Sequence, residues 1–134
     1  MSRRDRAEAV ERFLPLRPIE FQILLSVSGG ERHGYGMLRD ASERTGEPVR
    51  WGVGTLYRAL RRLEDEGLIE GTDRRPAPEE DDERRNYYRI TALGERVVHA
   101  EAQRMETLVR AARTSGVLGP VRGSGAARGA GGGR

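Results

Sequence analysis

Apolar residues recur along this chain mostly at the three- and four-residue intervals of helices, and the clearest run lies near its middle. Leu56, Leu60 and Leu63 fall at i, i+4 and i+7, which lines one helix face with apolar side chains and leaves Tyr57, Arg58, Arg61 and Arg62 on the other. Gly67 suits the left-handed position past a helix end, and Leu68-Ile69 starts a run better suited to a strand. Upstream, Pro18 opens a helix with Ile19, Ile23, Leu24 and Val27 at core spacing, ended by Ser28-Gly29-Gly30. A second helix is predicted over residues 34–45, with Tyr35, Leu38, Ala41 and Thr45 inward and Gly46 as its stop. Residues 3–14 suit a short amphipathic helix with Ala7, Val10, Phe13 and Leu14 on one side, interrupted by Pro15 and Pro18. That helix either frays or packs on a partner subunit.

Beyond the central helix, residues 68–72 and 86–91 read as two strands of one hairpin, with Tyr87, Tyr88 and Ile90 as good strand formers. The loop between them carries Arg74-Arg75 and Arg84-Arg85 at its base and five consecutive carboxylates, residues 79–83, at its tip. Mutual repulsion and two prolines predict a solvated, mobile tip. Helix resumes at Thr91, a plausible N-cap, although Gly94 stands where a capping box would place Glu or Gln. From 92 to about 113 the last helix carries Leu93, Val97, Met105, Leu108, Val109 and Ala112, over roughly 30 Å. That is more than a small core can cover, and the same helix of a second subunit is the simplest partner for its far half. The Gly, Ala and Arg-rich residues 114–134 read as a disordered tail. The expected divisions are thus an N-terminal arm (1–15), a compact domain of helices and hairpin (16–91), a long helix that meets a second subunit (92–113) and a tail (114–134).

Composition narrows the function classes. With 134 residues, 36% hydrophobic and 34% charged, the chain supports one small helical domain, and a sizeable pocket requires a second copy. The net charge is only +3, all 24 basic residues are Arg, and charge carries meaning only where it clusters. Absence of Cys removes disulfides, thiolate metal sites and cysteine nucleophiles. His33 and His99 fall on different elements, and no metal spacing, phosphate loop or apolar carboxylate pair is present, so no enzyme activity, cofactor or metal is expected. The opening residues lack a signal-peptide pattern and no run is long enough for a membrane span, which leads to the expectation of a cytoplasmic protein. His33-Gly34-Tyr35-Gly36 lies at a helix start, where free N–H groups bind anions; Tyr35 is alternatively a core residue with its hydroxyl at the surface. Trp51, the sole tryptophan, is a packing anchor or, where two subunits meet, a pocket wall.

Helix, helix, Arg-faced helix, hairpin and long helix make a winged helix-turn-helix, mainly α with a small β-hairpin. Three stretches in this order, His33-Gly34-Tyr35-Gly36-Met37-Leu38, residues 54–69 beginning Gly54-Thr55-Leu56-Tyr57-Arg58, and Arg85-Asn86-Tyr87-Tyr88-Arg89-Ile90-Thr91-Ala92-Leu93-Gly94, resemble the PadR family of transcriptional regulators. The resemblance spans about residues 16–110 and looks like the smaller subgroup with a single C-terminal helix. It implies a homodimeric DNA-binding regulator, usually a repressor, with residues 16–91 as the DNA-binding domain and the last helix as the dimer contact, to which Phe13 and Leu14 are added from the amphipathic pattern of residues 3–14. It also implies DNA contacts by Tyr35, Thr55, Tyr57, Arg58, Arg84 and Arg85; by their own positions Arg61 and Arg62 suit phosphates, Arg74 and Arg75 suit the backbone from the wing's base, and a two-fold dimer predicts a palindromic operator. The same resemblance allows a small aromatic effector near the dimer interface, for which Trp51 is the candidate wall from its own position, and equally a constitutive regulator or one released by a protein partner. The acidic wing tip departs from the family pattern and predicts a tip pointing away from DNA. A winged-helix module that binds protein instead of DNA is the rival reading.

Overall fold

The structure, a computed structural model, describes residues 2–72 and 86–119. The elements in chain order are α1 (Arg3–Glu11), α2 (Pro18–Ser28), β1 (Arg32–His33), α3 (Gly34–Thr45), α4 (Val53–Asp65), β2 (Ile69–Gly71), β3 (Tyr87–Ile90) and α5 (Ala92–Thr114). The chain divides into two compact units, residues 1–102 and 103–134. No helix among the described residues is long and apolar enough to cross a membrane.

Each helix of the first unit begins and ends where its sequence supplies the chemistry. Pro18 occupies the first turn of α2, where its missing N–H is no loss, and Glu20 accepts from the Arg17 backbone N–H at 3.1 Å. Helix α3 starts on His33, whose Nδ1 accepts from the Gly36 N–H at 3.1 Å, and ends on Gly46 at φ 78°. Its inner face runs through Gly34, Met37 and Ala41; Thr45, expected there, is exposed and caps its own last turn. At the end of α4, Gly67 at φ 80° lets its N–H reach the Glu64 carbonyl and the Leu68 N–H reach the Leu63 carbonyl. Leu63 and Leu68 are both fully buried at that joint.

The sheet among the described residues has three strands in the order β1-β3-β2, all antiparallel. The expected hairpin is present, in the register Ile69↔Ile90 and Glu70↔Arg89. Strand β1 was not legible in the sequence: only two residues long, it pairs Arg32 with Tyr88 and His33 with Tyr87. Thr91 caps α5 as expected, its hydroxyl accepting from the Gly94 N–H at 3.0 Å while donating to the Gly67 carbonyl at 2.6 Å.

A single apolar cluster joins Val10 and Leu16 to Ile23, Leu24, Met37, Leu56, Leu60, Leu63, Leu68 and Val97. The end of the short N-terminal helix packs on its own chain: Val10 is buried in this core, and Phe13 and Leu14 are half-buried against it. Two carboxylates lie inside. Glu101 is fully buried and accepts from the Leu16 N–H at 3.1 Å, tying the α1–α2 connector to α5. Glu20 is the second, and its partner lies on α4.

In the second unit, α5 continues to Thr114 and closes on Gly116 at φ 84°, with the Val117 N–H on the Ala112 carbonyl at 2.9 Å. Residues 115–118 fold back on the last turn of α5, Gly116 providing the same left-handed stop as Gly67.

Candidate nucleic-acid interface

Helix α4 has the segregation a groove-reading helix needs. Leu56, Ala59, Leu60 and Leu63 are buried, whereas Thr55, Arg58 and Arg61 are exposed. Five residues of the predicted contact surface sit on this helix, but the structure separates them into three groups. Thr55, Arg58 and Arg61 face outward, and Arg61 makes no hydrogen bond or ion pair among the described residues. Arg62 is half-buried and its Nη1 lies 3.3 Å from Glu20 Oε2, so in the free protein it holds α4 to the start of α2 instead of offering its charge to a phosphate.

Tyr57 departs furthest from its expected position. It is half-buried against the core, and a Cβ on Gly34 would stand 2.5 Å from its hydroxyl oxygen and 3.0 Å from Cζ. Its ring therefore lies over the first turn of α3 and does not point outward with Arg58. The signal was present in the sequence: Gly34 is the residue without a side chain that makes room for the ring. Tyr35, on the same turn, is half-buried with the remaining surface open. The anion-binding potential of that turn is reduced, since the His33 ring already accepts one of its N–H groups.

Neighbouring arginines are committed within the fold. Arg32 Nε lies 3.2 Å from Asp40 Oδ2, Arg89 Nε 2.8 Å from Glu70 Oε2, and Arg44 donates to the Gln22 side chain, the Gln22 carbonyl and the Ser26 hydroxyl, each at 2.9 Å. On α4, Arg58 and Arg61 are exposed and make no ion pair among the described residues. Beside it, Tyr88 of β3 has its hydroxyl pushed above its ordinary pKa, first by burial and then by the nearby Glu64 carboxylate, with Arg61 pulling the other way. Arg74, Arg75, Arg84, Arg85 and the acidic residues 79–83 lie outside the described residues.

The residues expected at a subunit contact are divided as well. Val97 is fully buried in the core of its own unit and has no surface to give a partner. Leu108 is 55% and Val109 43% exposed, and Met105 and Ala112 are half-buried. Trp51 is half-buried in the α3–α4 connector. An open groove of about 540 Å³ lies between α1 and the first turns of α5, floored by Ala7, Val10 and Ala100 and edged by Arg3, Arg96 and His99; Trp51 does not line it.

The sequence model of the transcriptional regulator PadR-like family matches residues 23–100. No curated protein matches the chain. Among solved structures, a transcriptional regulator from Clostridium thermocellum is similar at 24% identity and TM-score 0.60, covering 84% of this chain and 97% of that one. A PadR family transcription regulator from Clostridium difficile matches at 23% identity and TM-score 0.60, covering 72% and 96%. A Streptococcus transcriptional regulator matches at 29% identity and TM-score 0.58, covering 72% and 90%.

Proposed function

This chain belongs to the PadR-like family of transcriptional regulators, a DNA-binding and not an enzymatic family, and from that premise we propose that it is a homodimeric repressor that lays α4 into the major groove of a palindromic operator. The observation that carries the reading is the exposed trio Thr55, Arg58 and Arg61 on a helix whose opposite face is fully buried. Base edges are read near the amino end of such a helix and phosphates further along it, which gives Thr55 and Arg58 to the bases and Arg61 to the backbone. Tyr35 and the arginines Arg74, Arg75, Arg84 and Arg85 add backbone contacts. Leu108 and Val109, too exposed for a solitary helix to leave in water without consequence, supply the dimer contact together with Met105 and Ala112. Two copies then present their α4 helices about 34–36 Å apart, one turn of the duplex. Release by a small aromatic effector, held where two subunits bring Trp51 into a shared wall, completes the proposal.

Native mass spectrometry and gel shift on the DNA upstream of its own gene at physiological salt test this reading, followed by footprinting. A dimer that protects two symmetric half-sites is the expected result. A strictly monomeric protein, or one that binds all duplexes alike, would overturn it and favour a winged-helix module serving another protein.

A further inference from the structure

We propose that Arg58 reads a guanine through its O6 and N7 edge, and that Gly54 and Thr55 form the seat that holds the guanidinium for that task; the inference rests on α4 being the helix that enters the groove. Arg58 is one helical turn from Thr55, and its Nη2 donates to Thr55 Oγ1 at 3.2 Å. A Cβ on Gly54 would lie 3.3 Å from Arg58 Nη1, closer than ordinary packing. The guanidinium therefore lies on the exposed surface of the first turn of α4, across Gly54 and Thr55. Its charge meets no carboxylate among the described residues, whereas Arg32, Arg62 and Arg89 each have one.

A neutral hydroxyl orients the plane of the guanidinium without neutralising it. A fork held in a fixed attitude before binding suits planar two-point recognition, and at the amino end of a groove-entering helix the two-point partner is a base edge and not the backbone phosphates met further along. Among the base pairs, guanine alone presents two acceptors on one major-groove edge. Adenine sets a donor beside N7, cytosine offers a donor, and thymine offers one acceptor next to a methyl group. Arginine has donors only, so guanine is the base that satisfies the fork. Gly54 matters because any side chain there would push the guanidinium off its seat, a displacement a long flexible side chain tolerates without loss of the fold.

The test is selection from a randomised duplex library by the full-length wild type and by Arg58→Ala, Thr55→Val, Thr55→Ser and Gly54→Ala, with melting temperatures measured alongside. The wild type and Thr55→Ser are expected to enrich a fixed guanine in each half-site. Arg58→Ala should lose that guanine while keeping the other positions, and Thr55→Val and Gly54→Ala should weaken the preference roughly tenfold without lowering the melting temperature. Replacing that guanine by 7-deazaguanine, which removes N7, should weaken the wild type about tenfold and Arg58→Ala not at all. The proposal is overturned if Arg58→Ala keeps every base preference and only flattens the salt dependence, or if Thr55→Val and Gly54→Ala select as the wild type does. If no protein, wild type included, enriches any sequence, the DNA reading beneath it fails instead.

Discussion

Glu20 and Arg62 join the start of α2 to the recognition helix: one Glu20 oxygen accepts from the Arg17 N–H at 3.1 Å, the other lies 3.3 Å from Arg62 Nη1, and the Glu20 side chain is only 10% exposed. The carboxylate thus performs two tasks, capping one helix and fixing the tilt of another. Exposed ion pairs contribute little, but this one is half sheltered and its carboxylate keeps a backbone donor satisfied as well.

Arg62 is therefore expected to act on DNA through the position of α4 and not by touching a phosphate. Arg62→Met should lower operator affinity while leaving the dependence of log K on log salt unchanged. Arg61→Ala should reduce that slope by about one. Salt titrations of the two variants decide it; equal flattening by both would place Arg62 on the backbone. Glu20→Ala, which also removes the cap, should lower stability by about 1–2 kcal/mol in urea denaturation.

Gly34 and Tyr57 are coupled by space. A methyl group at Gly34 would meet the Tyr57 hydroxyl at 2.5 Å and Leu56 Cδ2 at 3.3 Å, so Gly34→Ala should cost about 1–3 kcal/mol by overpacking. Removing the obstacle with Tyr57→Phe should return part of that loss. A double-mutant cycle reading a coupling of about 1 kcal/mol is the expected outcome, and strict additivity would place the ring elsewhere.

Alkaline pH gives a separate measure of the joint between wing and recognition helix. Tyr88 is held above its ordinary value by burial and by Glu64, so the folded state retains the phenol proton where the unfolded chain has already lost it. Its contribution is fully present below about pH 10 and disappears as pH rises through the higher folded value, over a range in which arginine stays charged. Stability measured from pH 9 to 12 should fall less steeply in Tyr88→Phe than in the wild type. Parallel curves would show that this hydroxyl does not report on folding.

Much of the architecture could be read from punctuation. Pro18 and Gly46 fix helix ends because ring closure and a left-handed turn act locally, and α3 spans the predicted residues. What could not be read depends on groups distant in sequence. Two polar residues, Arg32 and His33, become a strand only because β3 offers them a ladder. Gly94, which reads as a defective capping box, is required because a Cβ there would collide with the Leu68 carbonyl and lie 2.7 Å from Ile90 Cγ1. Outward and inward arginines look identical in sequence: Arg61 and Arg62 are neighbours, and only the burial of Glu20 separates their roles. The Glu at the third position after Arg17 was the available signal, since that spacing marks a helix cap.

The exposed end of α5 supports a last prediction. Leu108 and Val109 are 55% and 43% exposed on an otherwise regular helix. A charge introduced there meets water in a monomer and an apolar partner in a dimer, where an unpaired charge is costly. Leu108→Glu should therefore halve the native mass and weaken operator binding strongly, because the affinity of two linked half-sites falls towards that of one. The melting transition of the winged-helix unit should remain, since Val97 and the rest of its core are untouched. Analytical ultracentrifugation across a hundredfold range of concentration reads the outcome directly. A variant that sediments as the wild type does would remove this surface from the subunit contact, and would turn attention to the groove beside Arg96 and His99 instead.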